Sequence, residues 1–137
     1  MEECIFCKIV KGDIPSYKVY EDNNYLAFLD VFPRVEGHTM VIPKKHSVWI
    51  YEVDNFGAYW NIALKVTKGI QRSLSPTYVN YFTYGAVPHA HIHILPRLTQ
   101  TSGEAPDSDI IPPHMKEKPS KEKMQEIADR IKSEIEI

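Results

Sequence analysis

Between Lys18 and Pro43, apolar and aromatic residues come in short runs broken every four to six positions, a spacing too tight for helices. Lys18 to Glu21 and Tyr25 to Leu29 flank "DNN", which predicts a hairpin whose asparagines tolerate positive φ. After "FPRVEG", the run "HTMVIP" predicts a third strand, closed by Pro43. From Asp54 to Ser75 the rhythm changes. Phe56, Trp60, Ala63, Ile70 and Leu74, with Thr67, fall on one helical stripe, with Asp54 as N-cap and Pro76 beyond the end. "TYVNYFTY" and "HAHIHIL" then predict two more strands, paired across a turn containing Gly85.

Polarity rises sharply after Leu98. Residues 99–118, with Pro106, Pro112 and Pro113, read as an ordered surface loop or an arm that wraps a partner. Within 119–137, Ser120 caps a final helix whose Met124, Ile127, Ala128, Ile131 and Ile135 share a face, suited to docking on the sheet or on a second subunit. These elements predict an α+β fold: a five-stranded antiparallel sheet, one long central helix and a C-terminal helix. The expected organisation is a single domain over 1–137, with 1–98 as its core.

Composition narrows the chemistry. At 137 residues and 43% hydrophobic content the chain supports one core. A net charge of −2 offers no basic excess for nucleic acid or an anionic membrane, so a small ligand is the expected partner. There is no run of eighteen apolar residues and "MEECIFCKIV" lacks a signal-peptide pattern, so the expected location is cytoplasmic. The two cysteines, Cys4 and Cys7, stand too close together to staple a secreted scaffold.

Three of the six histidines alternate in "PHAHIHILPR". Scattered independently, six histidines would produce that pattern with a chance of roughly 1%. On a strand His89, His91 and His93 share one side and Ala90, Ile92 and Ile94 the other, so the apolar set enters the core and the imidazoles face a cleft or water. Imidazoles near neutrality serve as nucleophiles, as acid/base groups or, at i and i+2, as zinc ligands. Cys4-x-x-Cys7 supplies half of a tetrahedral site, but its thiols also fit a buried reduced pair or a redox pair. His114, Lys44, Lys45 and Arg97 read as solvated.

"HAHIHIL" resembles the signature of the histidine triad (HIT) family, and "CIFCKIVKGDIPSYKVYEDNNYLAFLD" and "GHTMVIPKKH" are similar to that family's preceding blocks, in the same order. The resemblance covers most of Cys4 to Arg97. It implies a HIT-like homodimeric nucleotide hydrolase or nucleotidyl transferase that acts at the α-phosphate of nucleoside phosphoramidates or related conjugates. Its intermediate would be a nucleotidyl-histidine. His91 would be the nucleophile, His93 and His38 would line the site, and His89 would support them. Ile5, Phe6, Ile9, Ile14, Phe28 and Val31 would sandwich an AMP- or GMP-like base, while Asp30 would accept from the ribose. Asn80 would match a strand asparagine that orients phosphate or ribose. In the cysteine-bearing branch, structural Zn2+ would be held by Cys4, Cys7, His46 and His89.

The chain departs from the pattern just before the triad. "YGAVPH" puts Gly85 where the family has glutamine and Ala86 where it has a hydroxyl residue. The backbone amides of Gly85, Ala86 and Val87 are left to meet a phosphate, and Pro88 offers none. Two other readings stay open: a nucleotide-binding regulatory protein with little turnover, and a dinucleoside polyphosphate hydrolase.

Overall fold

The computed structural model describes residues 3–98 and 111–135. The structure has a short helix α1 (Ile5–Lys11), strands β1 (Lys18–Glu21), β2 (Tyr25–Leu29) and β3 (Thr39–Pro43), the long helix α2 (Phe56–Leu74), strands β4 (Tyr78–Phe82) and β5 (Ile92–Arg97), and helix α3 (Lys121–Ser133). The strands form one antiparallel sheet in the order β1-β2-β3-β5-β4, confirming the α+β fold. The first two strands match the sequence reading residue for residue, and β3 starts one residue later than read, at Thr39.

The hairpin turn is made differently from expectation. Neither Asn23 nor Asn24 has positive φ; Asp22 Oδ1 instead accepts from the amides of Asn24 and Tyr25, both at 2.8 Å. A side-chain turn of this kind needs no left-handed residue.

On helix α2 the expected stripe holds at Ala63, Thr67 and Ile70, with Trp60 and Leu74 partly buried against the core, but not at Phe56. The helix's buried positions are Tyr59, Ala63, Val66, Thr67, Gly69 and Ile70, and Phe56 is 47% exposed. Tyr59 sets this orientation by donating to the Val41 carbonyl oxygen at 2.7 Å and stacking on Tyr25. Asp54 does not cap the helix. It pairs with Lys45 at 2.7 Å, and the cap position falls to Asn55, at φ 54° with no side-chain cap bond.

Helix α3 docks on α2 and β1 of its own chain, with Ser120 capping it through the Lys123 amide at 3.1 Å. Gly69 permits the close crossing of α2 and α3, since a Cβ there would lie 2.5 Å from Ile135 Cγ1. One apolar core lies between the sheet and α2/α3 and includes Ala90, Ile92 and Ile94. A second cluster, on the other face, joins α1 to Leu26, Phe28, Met40 and Ile42. With apolar layers on both faces, β2 and β3 are buried at every position instead of alternating. Among the described residues no helix is long and apolar enough to cross a membrane.

Candidate active site and metal centre

The face of the sheet opposite α2 carries the histidines. His89 and His91 lie just before β5 and His93 within it; all three are buried, and the His91 and His93 rings stand 4.8 Å apart. They border a cavity of about 330 Å³ walled by Ile5, Phe6, Ile9 and Ile14 from one side and by Phe28, Asp30 and Val31 from β2 and its following turn. Every apolar residue assigned to a base sandwich therefore lines one cavity, as do Asp30, Ala86, Val87, His91 and His93. His38 is buried behind them, its Nε2 2.8 Å from His93 Nδ1.

Two other expected residues are not brought to that cavity. Asn80 turns its Oδ1 to Arg97, accepting from Nη1 at 2.9 Å. Gly85 lies under Trp49, and any side chain would begin 2.5 Å from the Trp49 ring. Arg97 itself is fully buried, not solvated, because Pro96 and Arg97 continue β5 past the histidines and bring its guanidinium over Tyr78 and against Asn80. Lys44 and Lys45 are surface groups paired with Glu21 and Asp54.

Hydrogen-bond partners of fixed character, one acceptor and one donor, set the histidine tautomers. The His89 carbonyl can only accept, so His91 Nδ1, at 2.8 Å, carries the proton and Nε2 keeps its lone pair. The Arg34 amide can only donate, so His38 Nδ1, at 3.0 Å, is an acceptor and its Nε2–H points to His93 Nδ1. His93 therefore carries its remaining proton on Nε2, a buried atom with no partner among the described residues. Burial lowers the pKa of His91, although the charge of Asp30 works against it. Burial also lowers His38 well below its usual range and His93 to about 3, so these rings are neutral at pH 7. Asp30 is pushed up by burial, with Phe32 donating to its Oδ1 at 2.9 Å.

Phe82 stacks on His93 with centroids 4.2 Å apart, and Phe6 meets His91 edge-on at 5.2 Å. Arg34 reaches across from the loop after β2, donating to Tyr84 Oη at 3.0 Å and lying over Phe82. Arg34, Tyr84, Phe32 and Met40 carried no signal in the sequence; each owes its place to loop or strand geometry. His114, read as solvated, is exposed but also lines the cavity.

Beside this cavity, Cys4, Cys7, His46 and His89 place four ligand atoms within 4.8 Å of one another. Sγ of Cys4 lies 3.3 Å from His89 Nδ1, and Sγ of Cys7 lies 3.2 Å from His46 Nδ1 and 3.5 Å from His89 Nδ1. A tetrahedral ion with ordinary zinc bond lengths would hold such atoms about 3.6 Å apart, so the set fits with little movement. Its outer contacts also fit. His89 Nε2 donates to the Pro43 carbonyl at 2.8 Å, which turns the Nδ1 lone pair to the thiols, and the Cys7 amide donates to Cys4 Sγ at 3.3 Å. Burial and the neighbouring Cys4 push the Cys7 thiol up to about 11. Asp30, His38 and His93 also cluster, but they fail the same test. The Arg34 amide occupies His38 Nδ1, which forces a proton onto the Nε2 that would have to ligate.

An α+β sheet carrying an alternating trio of imidazoles, two of them at an apolar cavity and the first in the adjoining thiol-imidazole cluster, defines a protein of the histidine triad class. The model of the HIT domain matches residues 11–100, and the chain belongs to that family. Protein hit of Bacillus subtilis is 42% identical, over 74% of this chain and 76% of its own length. The adenosine 5'-monophosphoramidase hnt1 of Schizosaccharomyces pombe is 37% identical, over 73% of this chain and 78% of its own. Among solved structures, a zinc-bound histidine triad family protein from Mycobacterium smegmatis superposes with a TM-score of 0.78 at 26% identity, covering 98% of this chain and 94% of that one. The family thus includes named hydrolases.

Proposed function

We propose that the protein hydrolyses nucleoside phosphoramidates or related nucleotide conjugates at the α-phosphorus, through a nucleotidyl-His91 intermediate. The observation that carries this reading is the tautomer of His91: a neutral ring beside an apolar cavity, Nδ1 held by a carbonyl and Nε2 left with its lone pair. The name of the fission-yeast relative supports the reaction class.

The base enters between Ile5, Phe6, Ile9 and Ile14 on one side and Phe28 and Val31 on the other, and Asp30 accepts from the ribose. His91 Nε2 forms a bond to phosphorus as the P–N bond breaks, and the leaving amine takes that electron pair and a proton from water. Nδ1–H of the resulting imidazolium stays on the His89 carbonyl, which favours the charge that develops there. His93 Nε2–H, a buried donor with no partner among the described residues, meets a phosphoryl oxygen. Water then attacks phosphorus, the electron pair returns to Nε2, and nucleoside monophosphate leaves with the water's proton released. Backbone amides of Ala86 and Val87, with His93, stand in for the side-chain donors absent from "YGAVPH".

Cys4, Cys7, His46 and His89 would hold zinc. When bound, it supplies structural cross-linking and leaves His89 unable to act as a nucleophile. The ligand set anchors α1 to the loop after β3 and to the residue whose carbonyl orients His91. In this reading the chain works in the cytoplasm as a homodimer, joined at the edge of the sheet.

The test is incubation with adenosine 5'-phosphoramidate. AMP release above a His91→Ala control supports the hydrolase. Binding of AMP without release makes the protein a nucleotide-binding module, and preferred turnover of dinucleoside polyphosphates moves it to that other branch.

A further inference from the structure

The segment 111–118 returns to the cavity mouth and is pinned there at several points. Arg34 Nη1 donates to the Pro112 carbonyl at 2.7 Å, the Met115 amide donates to the Pro33 carbonyl at 2.9 Å, and Lys118 Nζ lies 5.0 Å over the Phe32 ring. Between these anchors His114 lines the same cavity as Asp30, Val31 and Phe32. Resting on the nucleotide reading above, we propose that His114 contacts the substrate, pairing with Asp30 to read the ribose hydroxyls and so selecting ribonucleotides.

The two side chains are complementary in hydrogen-bonding terms. A carboxylate only accepts, so Asp30 uses a hydroxyl's proton and leaves its lone pairs unmet. An imidazole supplies the missing N–H, so one hydroxyl can donate to Asp30 while accepting from His114. Asp30 is fixed for this role by the Phe32 amide on Oδ1, with Oδ2 3.6 Å from His38 Nε2. Among the groups that draw the Asp30 carboxyl back down, His114 acts more strongly than Arg34 or His91. The segment that carries His114 is pinned to Phe32, Pro33 and Arg34, the residues that follow Asp30 and Val31 in the chain, so its ring lines the cavity from the side of that turn. Both neighbouring anchors use main-chain atoms of the segment, the Pro112 carbonyl and the Met115 amide, so replacing the exposed ring leaves the segment's attachment in place.

The experiment is calorimetric titration of the full chain with AMP and with 2',3'-dideoxy-AMP. His114→Ala is expected to weaken AMP binding by about threefold to tenfold, the range of one neutral hydrogen bond, with less than about a twofold change for dideoxy-AMP. His114→Gln, which keeps an N–H donor, should recover most of the loss. Equal weakening of both ligands would mean that the ring merely shapes the cavity mouth, and no change in either would mean that it does not touch ligand; each result overturns the proposal while leaving the nucleotide cavity intact. If the unsubstituted protein binds neither compound, the nucleotide reading itself fails and this proposal falls with it.

Discussion

His38 Nε2 stands 2.8 Å from His93 Nδ1, and the Arg34 amide on the far side of the His38 ring decides which way the proton between them points. The direction continues through His93 to an Nε2–H with no protein partner among the described residues. A backbone amide in a loop thereby fixes the hydrogen-bonding sign of a ring two residues from the nucleophile.

Removing the middle of that chain should leave His93 free to adopt either tautomer. His38→Ala is expected to lower kcat by about ten- to hundredfold, the cost of leaving one buried group unsatisfied, with AMP affinity changed less than about threefold. Steady-state kinetics alongside titration separate the two quantities. Unchanged kcat would mean that the Arg34-to-His93 chain is structural only.

A covalent step predicts an adduct at one ring. Protein mixed with a nucleoside phosphoramidate and quenched in alkali should gain one nucleotidyl group, mapped by peptide mass spectrometry to His91, whose Nε2 alone among the triad is both unprotonated and at the cavity. His91→Ala should abolish the adduct and reduce turnover by at least about a thousandfold. An adduct on His89 or His93 would contradict the tautomer assignment.

Neutral burial of His38 and His93 makes stability depend on pH, and the direction follows from linkage. Both rings titrate lower in the folded chain, so below the ordinary histidine pKa of 6.5 the unfolded chain binds protons that the folded chain refuses. Stability is full above pH 6.5 and falls as pH drops, with each ring contributing a slope of up to about 1.4 kcal/mol per pH unit until its folded pKa, about 3 for His93. Asp30, shifted upward by burial, opposes this in part. Urea titrations between pH 7.5 and 5 should show the decline, and His93→Asn should flatten it. A stability profile level through that window would contradict buried neutral rings.

The thiol-imidazole cluster predicts about one equivalent of zinc in metal-replete protein. Cys4→Ser, or chelation, should remove it and lower Tm by at least about 6 °C, the shift that ~2 kcal/mol produces in a domain of this size. Elemental analysis and thermal melts read the two effects. Protein carrying no zinc and unaffected by chelator would leave Cys4 and Cys7 as packed thiols.

The side on which each triad residue falls was legible because the period-2 pattern is local: Ala90, Ile92 and Ile94 had to enter the core, so the histidines had to leave it. The bounds of the last two strands were not: β4 is shorter than "TYVNYFTY", and β5 starts at Ile92 and runs on to Arg97, past "HAHIHIL". Helix α1 was missed because seven residues are too short for helical periodicity to show; its start is capped by Cys4 Sγ, which accepts from the Cys7 amide. The stripe on α2 was legible except at its start, where Phe56 looks like a core residue but Tyr59, bonded to the Val41 carbonyl, takes the buried place.

By itself, then, the sequence determined the antiparallel strands and the histidine face, which rest on residue type and short spacing. The full zinc ligand set and the apolar walls of the cavity were implied by the resemblance of its blocks to the histidine triad family. The tertiary structure alone decided the tautomers, the burial of Arg97 against Asn80, the place of Gly85 beneath Trp49, and the return of His114 to the cavity. Each of these depends on which groups from distant segments meet. Such contacts are settled by packing and by the need of buried polar atoms for partners, which no local pattern encodes.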